Sequence, residues 1–185
     1  MTTTPMTDET TQVELTLLKE SRAPKLSKRS AGRTLLYRLW TNPQRSDVFW
    51  QIAANDGGQH SLELVPMAKV QATIATQAGN DPFRTRLLRS TFSGRSTNNA
   101  GFLVCAMAAE GLLIASDKAH HHVVHGNWAD WQQAVLSIDG QPAMIAAVLA
   151  VAALPADTSE PVQKGKRNGR QRTSAGAEAD HADPA

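Results

Sequence analysis

Arg84, Arg86, Arg89 and Arg95 fall within a dozen positions. A guanidinium is permanently charged and presents its donors in a fork that fits phosphate oxygens, so the chemistry on offer is anion binding. Ser96, Thr97, Asn98 and Asn99 follow directly. Asn can pair with the edge of adenine, and Ser or Thr hydroxyls reach bases or phosphates. The same residue types cap helix N-termini, so Asn98 and Asn99 suit a purely structural role equally well.

His120, His121, His122 and His125 are the second group. On a strand, His120 and His122 share one face while His121 and His125 share the other, so the four do not converge. No cysteine or paired carboxylate stands at ligand spacing nearby, and the expectation is no metal site. The bland reading is an exposed hairpin strand, with charge gained below about pH 6.5 as the chemical option. No Gly-x-Ser-x-Gly elbow, phosphate loop or carboxylate pair is present, and Cys105 lies among Ala, Val and Met as a small core residue. These absences predict a non-enzymatic protein with no cofactor. Trp40, Phe49 and Trp50 would stack on bases if exposed and form core if not.

The net charge of +2 conceals an uneven distribution. Lys19, Arg22, Lys25, Lys28, Arg29 and Arg33 stand against Glu20 alone in residues 19–33. From Ser96 to Gln163, Lys118 is the only basic residue other than histidine, and six carboxylates oppose it. A basic tail follows, with Lys164, Lys166, Arg167, Arg170 and Arg172. This arrangement suggests an anionic partner approached by arms. The first fifteen residues are Thr-rich and carry no apolar run. The longest apolar segment, residues 143–154, is far shorter than the roughly 20 residues of a membrane span. The expectation is a cytoplasmic protein that does not enter the membrane.

The elements that must position these groups follow from periodicity. Val13, Leu15 and Leu17 alternate like a short strand, and residues 19–33 read as a polar connector. Residues 34–40, 48–54 and 61–65 form an antiparallel meander, punctuated by Asn42-Pro43 and Asn55-Asp56-Gly57-Gly58 turns. Pro66 opens a helix carrying Met67, Val70 and Ile74, and Asp81-Pro82 opens a second that runs to about Ser90. A third helix starts at Ser96 or Thr97, ends at Glu110 and is closed by Gly111. Residues 112–115 and 120–125 make a hairpin, and helices over 128–136 and 143–153 complete the pattern.

Three helices followed by a hairpin, with the third helix closing on Glu110-Gly111-Leu112-Leu113, resemble a winged helix-turn-helix module over residues 66–125. The resemblance implies a recognition helix whose first residues, Thr97, Asn98 and Asn99 with Arg95 before them, meet DNA in the major groove. It further implies that Arg84, Arg86 and Arg89 hold the backbone and that Lys118 lies in the wing. The outer face of that helix, however, is Phe102, Cys105, Ala106 and Ala109. A helix apolar almost all round is buried on several sides, which favours phosphate contact over base reading.

The sequence thus predicts an α+β fold: an N-terminal three-stranded antiparallel meander (34–65), a winged-helix-like half (66–125) and C-terminal helices (128–154). These form one domain over residues 12–154, with disordered ends at 1–11 and 155–185. The expected function is that of a small bacterial-type accessory protein that binds nucleic acid, DNA in the first instance. The alternative is a protein–protein assembly component, including a homodimer, built on the apolar third and last helices.

Overall fold

The strand begun by Val13 does not stop at the first lysine. In the computed structural model, which describes residues 11–94 and 96–147, β1 runs from Thr11 to Pro24 and takes in residues 19–24 of the expected polar connector. Its charges find partners across the strands: Arg38 Nε lies 2.6 Å from Glu20 Oε2. A register shift between Leu17 and Lys19 accompanies the burial of Leu18 in the core. β1 is long enough to pair on both sides. Residues 16–24 run antiparallel to β2 (Thr34–Thr41), and residues 11–17 run antiparallel to β8 (Gln141–Ala147).

Gln141–Ala147 is therefore a strand where the sequence predicts a helix over 143–153; residues 148–153 lie outside the described set. A short Ala-rich apolar run carries no decisive period, and the pairing with β1 decides its form. Pro142 lacks an N–H and is tolerated because β8 ends the described sheet. The approach is close: a Cβ on Gly140 would sit 2.4 Å from the Leu17 carbonyl oxygen, so only glycine fits there.

Among the described residues the sheet has the order β4-β3-β2-β1-β8, with β3 at Val48–Asn55 and β4 reduced to Val65–Pro66. The expected meander strand over 61–65 is thus mostly not a strand. Residues 61–64 lie instead against one sheet face, where the Gln51 side-chain amide donates to Leu62 O and Leu64 is buried with Leu15 and Trp40. Trp40 and Trp50 are 3% and 1% exposed and Phe49 is half-buried, which removes them as a base-stacking surface.

The other face carries the helices. α1 (Met67–Gln77) buries Met67, Val70 and Ile74 as its spacing predicts. α2 (Asn99–Ala109) packs on β1, β2 and β3 and buries Ala100, Leu103, Val104, Cys105, Ala106 and Met107. Its closure matches expectation. Gly111 sits at φ +75°, Gly111 N donates to Ala108 O at 3.0 Å and Leu112 N to Met107 O at 2.9 Å. This pair of bonds satisfies two carbonyls of the last turn and needs a residue at ease with positive φ. α3 (Trp128–Leu136) is capped by the Asn127 side chain and lays Trp131 flat on Trp50, with ring centroids 5.3 Å apart.

Between α1 and α2 the expected second helix takes another form. β5 (Phe83–Arg84) comes first, and a 3₁₀ helix spans Thr85–Thr91. After α2, β6 (Leu113–Ala115) and β7 (His121–Val124) form the expected hairpin, and β5 joins it in a three-stranded sheet of order β5-β7-β6. Among the described residues, no helix is long and apolar enough to cross a membrane.

Candidate anion-binding cleft

Strand alternation and the threefold repeat of a 3₁₀ helix set the arginines. Phe83 is 3% exposed, so its neighbour Arg84 points the other way and is exposed. In a 3₁₀ helix, side chains three apart eclipse one another. Leu88 and Thr91 share the buried face, which places Arg86 and Arg89 together on an exposed one. Thr85 ties the start of this helix to β7 and the turn before it: Thr85 N donates to His120 O at 3.2 Å, and Thr85 Oγ1 lies 2.9 Å from His122 Nε2. At the other end, Ser93 N and Gly94 N donate to the carboxylate of Glu63, which is 1% exposed.

Arg84, Arg86 and Arg89 meet in one cleft of about 720 Å³ between the end of α1, the 3₁₀ helix and β7. Ala78, Pro82 and Leu87 supply apolar wall, Asp81 is the one carboxylate in the lining, and His121 closes one side. β5–β7 pairing sets Arg84 directly opposite His121. The imidazole is oriented by two contacts. His121 Nδ1 lies 2.9 Å from Ala119 O, which can only accept, so Nδ1 carries the proton. Nε2 then accepts from Arg84 Nε at 3.4 Å. Among the described residues, none of the three arginines is in an ion pair.

The remaining expected site residues lie elsewhere. Asn99 is 1% exposed and its side-chain oxygen accepts from Ser61 N at 3.2 Å, so burial removes it from any groove contact. Asn98 turns its amide toward Gln59 O at 3.4 Å, and Ser96 Oγ donates to the same oxygen. Both stitch the turn before α2 to the loop after β3. Thr97 is exposed but does not line the cleft, and Lys118 is exposed in the β6–β7 turn. Arg95 lies outside the described residues. His121 and Asp81 carried no sequence signal for the cleft, because β5 is only two residues long and nothing announces its pairing with β7.

The histidines divide differently from the sequence pattern. His120 is a turn residue at φ +60°, His121 faces the cleft, and His122 is buried beside Phe83. Among the described residues, no group of three or more His, Cys, Asp or Glu is placed to hold a metal. Burial, with His121 and His120 beside it, pulls the His122 imidazole below its ordinary value. The folded state then binds fewer protons than the unfolded chain, whose histidines titrate near about pH 6.5. Stability should therefore fall as the pH drops below that value. His122→Gln should remove this part of the decline, read from urea midpoints between neutral and mildly acidic pH; an unchanged decline would show that His122 is not its source.

Glu110 forms a second titratable cluster, with its own side chain buried and Lys19 at the solvent edge. Lys19 Nζ lies 2.7 Å from its Oε1, the Tyr37 hydroxyl donates to the same oxygen, and Trp131 Nε1 donates to Oε2 at 3.1 Å. Burial alone would raise the carboxyl, but the Lys19, Tyr37 and Trp131 bonds and the Lys19 charge outweigh it and hold Glu110 below its usual range. Burial and the facing carboxylate push the Tyr37 hydroxyl well above its usual value, so it remains a donor. With both oxygens engaged, this cluster ties the end of α2 to β1, β2 and α3.

Comparison of the chain with protein-family models, with curated proteins and with solved structures gives no match.

Proposed function

We propose that this chain is a small, non-enzymatic, cytoplasmic accessory protein of bacterial type that binds nucleic acid by gripping phosphates in the Arg84–Arg86–Arg89 cleft. The observation that carries this reading is the gathering of three arginines, unpaired among the described residues, around one concave surface with only Asp81 opposing them. Three positive charges on one concave surface raise the local concentration of anions there. An anion entering the cleft meets donors already in position.

The order α1, 3₁₀ helix, α2, hairpin supports a winged-helix-like description of residues 66–125. On this reading the module contributes its outer surface, since α2 is packed into the core and cannot be inserted in a groove. Thr97 and Lys118 stay as peripheral contacts, and DNA is the first polymer to test. The assembly alternative has less to work with: α2 is buried within the chain itself, and residues 141–147 are a strand.

Anisotropy titrations with a short labelled oligonucleotide across a salt series test the proposal. Log affinity should fall linearly with log salt, and the R84A/R86A/R89A variant should lower the slope by about 2 to 3, close to one unit per lost phosphate contact. No binding at low salt, or a slope that the three substitutions leave unchanged, would sink it.

A further inference from the structure

The cleft is open and of single-nucleotide scale, and it sets apolar side chains and an imidazole ring beside its arginines. We infer that its occupant is a single unpaired strand, with a phosphate held by Arg84, Arg86 and Arg89 and a base laid against Pro82, Leu87 and the His121 ring. This inference rests on the phosphate-binding reading above and adds which form of nucleic acid is taken.

Size is the first reason. The cleft is open, and its volume of about 720 Å³ matches the scale of a small ligand. A strand with its bases splayed out can offer such a space both a phosphate and a base face, whereas a duplex keeps its bases stacked and offers only phosphates. The second reason is what the surface lacks. Reading a duplex calls for a helix or a two-stranded ribbon laid in the major groove. α2 is buried on the five-stranded sheet, Asn99 at its start is buried, and the β6–β7 hairpin carries Lys118 as its single lysine or arginine.

The third reason is the chemistry of the walls. Guanidinium planes and an imidazole ring stack on base faces, and those faces are open only when the base is unpaired. His121 is held for that role by Ala119 O on one ring nitrogen and Arg84 Nε on the other. The half-buried Leu87 and the exposed Pro82 give apolar surface beside it. Asp81, exposed in the lining, can accept from the exocyclic amino groups that an unpaired base leaves free.

The test uses the full chain and one labelled sequence in three forms: single strand, duplex, and single strand with abasic positions. All are titrated at the same low salt, with the R84A/R86A/R89A variant alongside. The single strand should bind at least about tenfold more tightly than either other form, because stacking one base supplies a factor of that order. All binding should weaken in the variant. Duplex binding equal to or tighter than single-strand binding, still lost in the variant, would overturn the single-strand inference and leave phosphate gripping in place. An abasic strand bound as well as the intact one would overturn it too. No binding of any form would overturn both.

Discussion

Glu110→Ala is expected to lower the free energy of unfolding by about 3 kcal/mol, a large part of the roughly 5–15 kcal/mol that holds a domain folded. The substitution leaves the hydroxyl of Tyr37, itself 1% exposed, with only Ser21 beside it and takes the acceptor from the indole N–H of Trp131, whose ring is stacked on Trp50. A buried donor left without an acceptor forfeits its hydration with nothing in return. Lys19 adds little, because its side chain is 39% exposed and regains water. Lys19→Ala should therefore cost much less than Glu110→Ala. Acid should act in the same direction as the alanine: the Glu110 carboxyl is held below its usual range, so its contribution is complete above the unfolded value and disappears as pH falls through the folded one. Urea unfolding at several pH values measures both. Equal losses for Lys19→Ala and Glu110→Ala would mean that the ion pair, and not the Tyr37 and Trp131 bonds, carries the cluster.

Reversing charge in the cleft should have the largest effect on binding. Arg86 and Arg89 share one face of the 3₁₀ helix and are both exposed, so Arg86→Glu with Arg89→Glu should leave the fold intact. Two lost phosphate contacts and the new repulsion should lower affinity by about 100-fold or more near 0.1 M salt. Unfolding midpoints close to the parent protein, together with that loss, would separate binding from stability. A double reversal that binds as before would place the nucleic-acid surface elsewhere.

Local grammar was legible where it was decisive. Gly111 closes α2 because a positive φ follows from the bonds Leu112 and Gly111 make back into the helix, and the turn over residues 116–119 was marked by small and polar residues, with His120 joining it in the structure. The second half of β1 was hidden, because its charges are satisfied by Arg38 and Glu110 across space and look from the sequence like a solvated connector. β8 was hidden for the opposite reason: an Ala-rich run takes whichever form its neighbour imposes. The arginine group itself was readable from spacing. Its convergence on His121 was not, since that depends on a two-residue strand and on a 3₁₀ helix in place of an α-helix. Asn99 shows the limit of residue type as a guide: its amide serves Ser61, not a base.

The most direct test is an amide-resolved NMR titration of the full chain with a short single-stranded oligonucleotide at low salt. Shifts should concentrate at residues 81–91 and 119–122, around the cleft, with little change at β8 or at the buried start of α2. Shifts centred instead on residues 97–99, or saturable binding with the cleft amides unmoved, would contradict the assignment of the Arg84–Arg86–Arg89 cleft as the binding site.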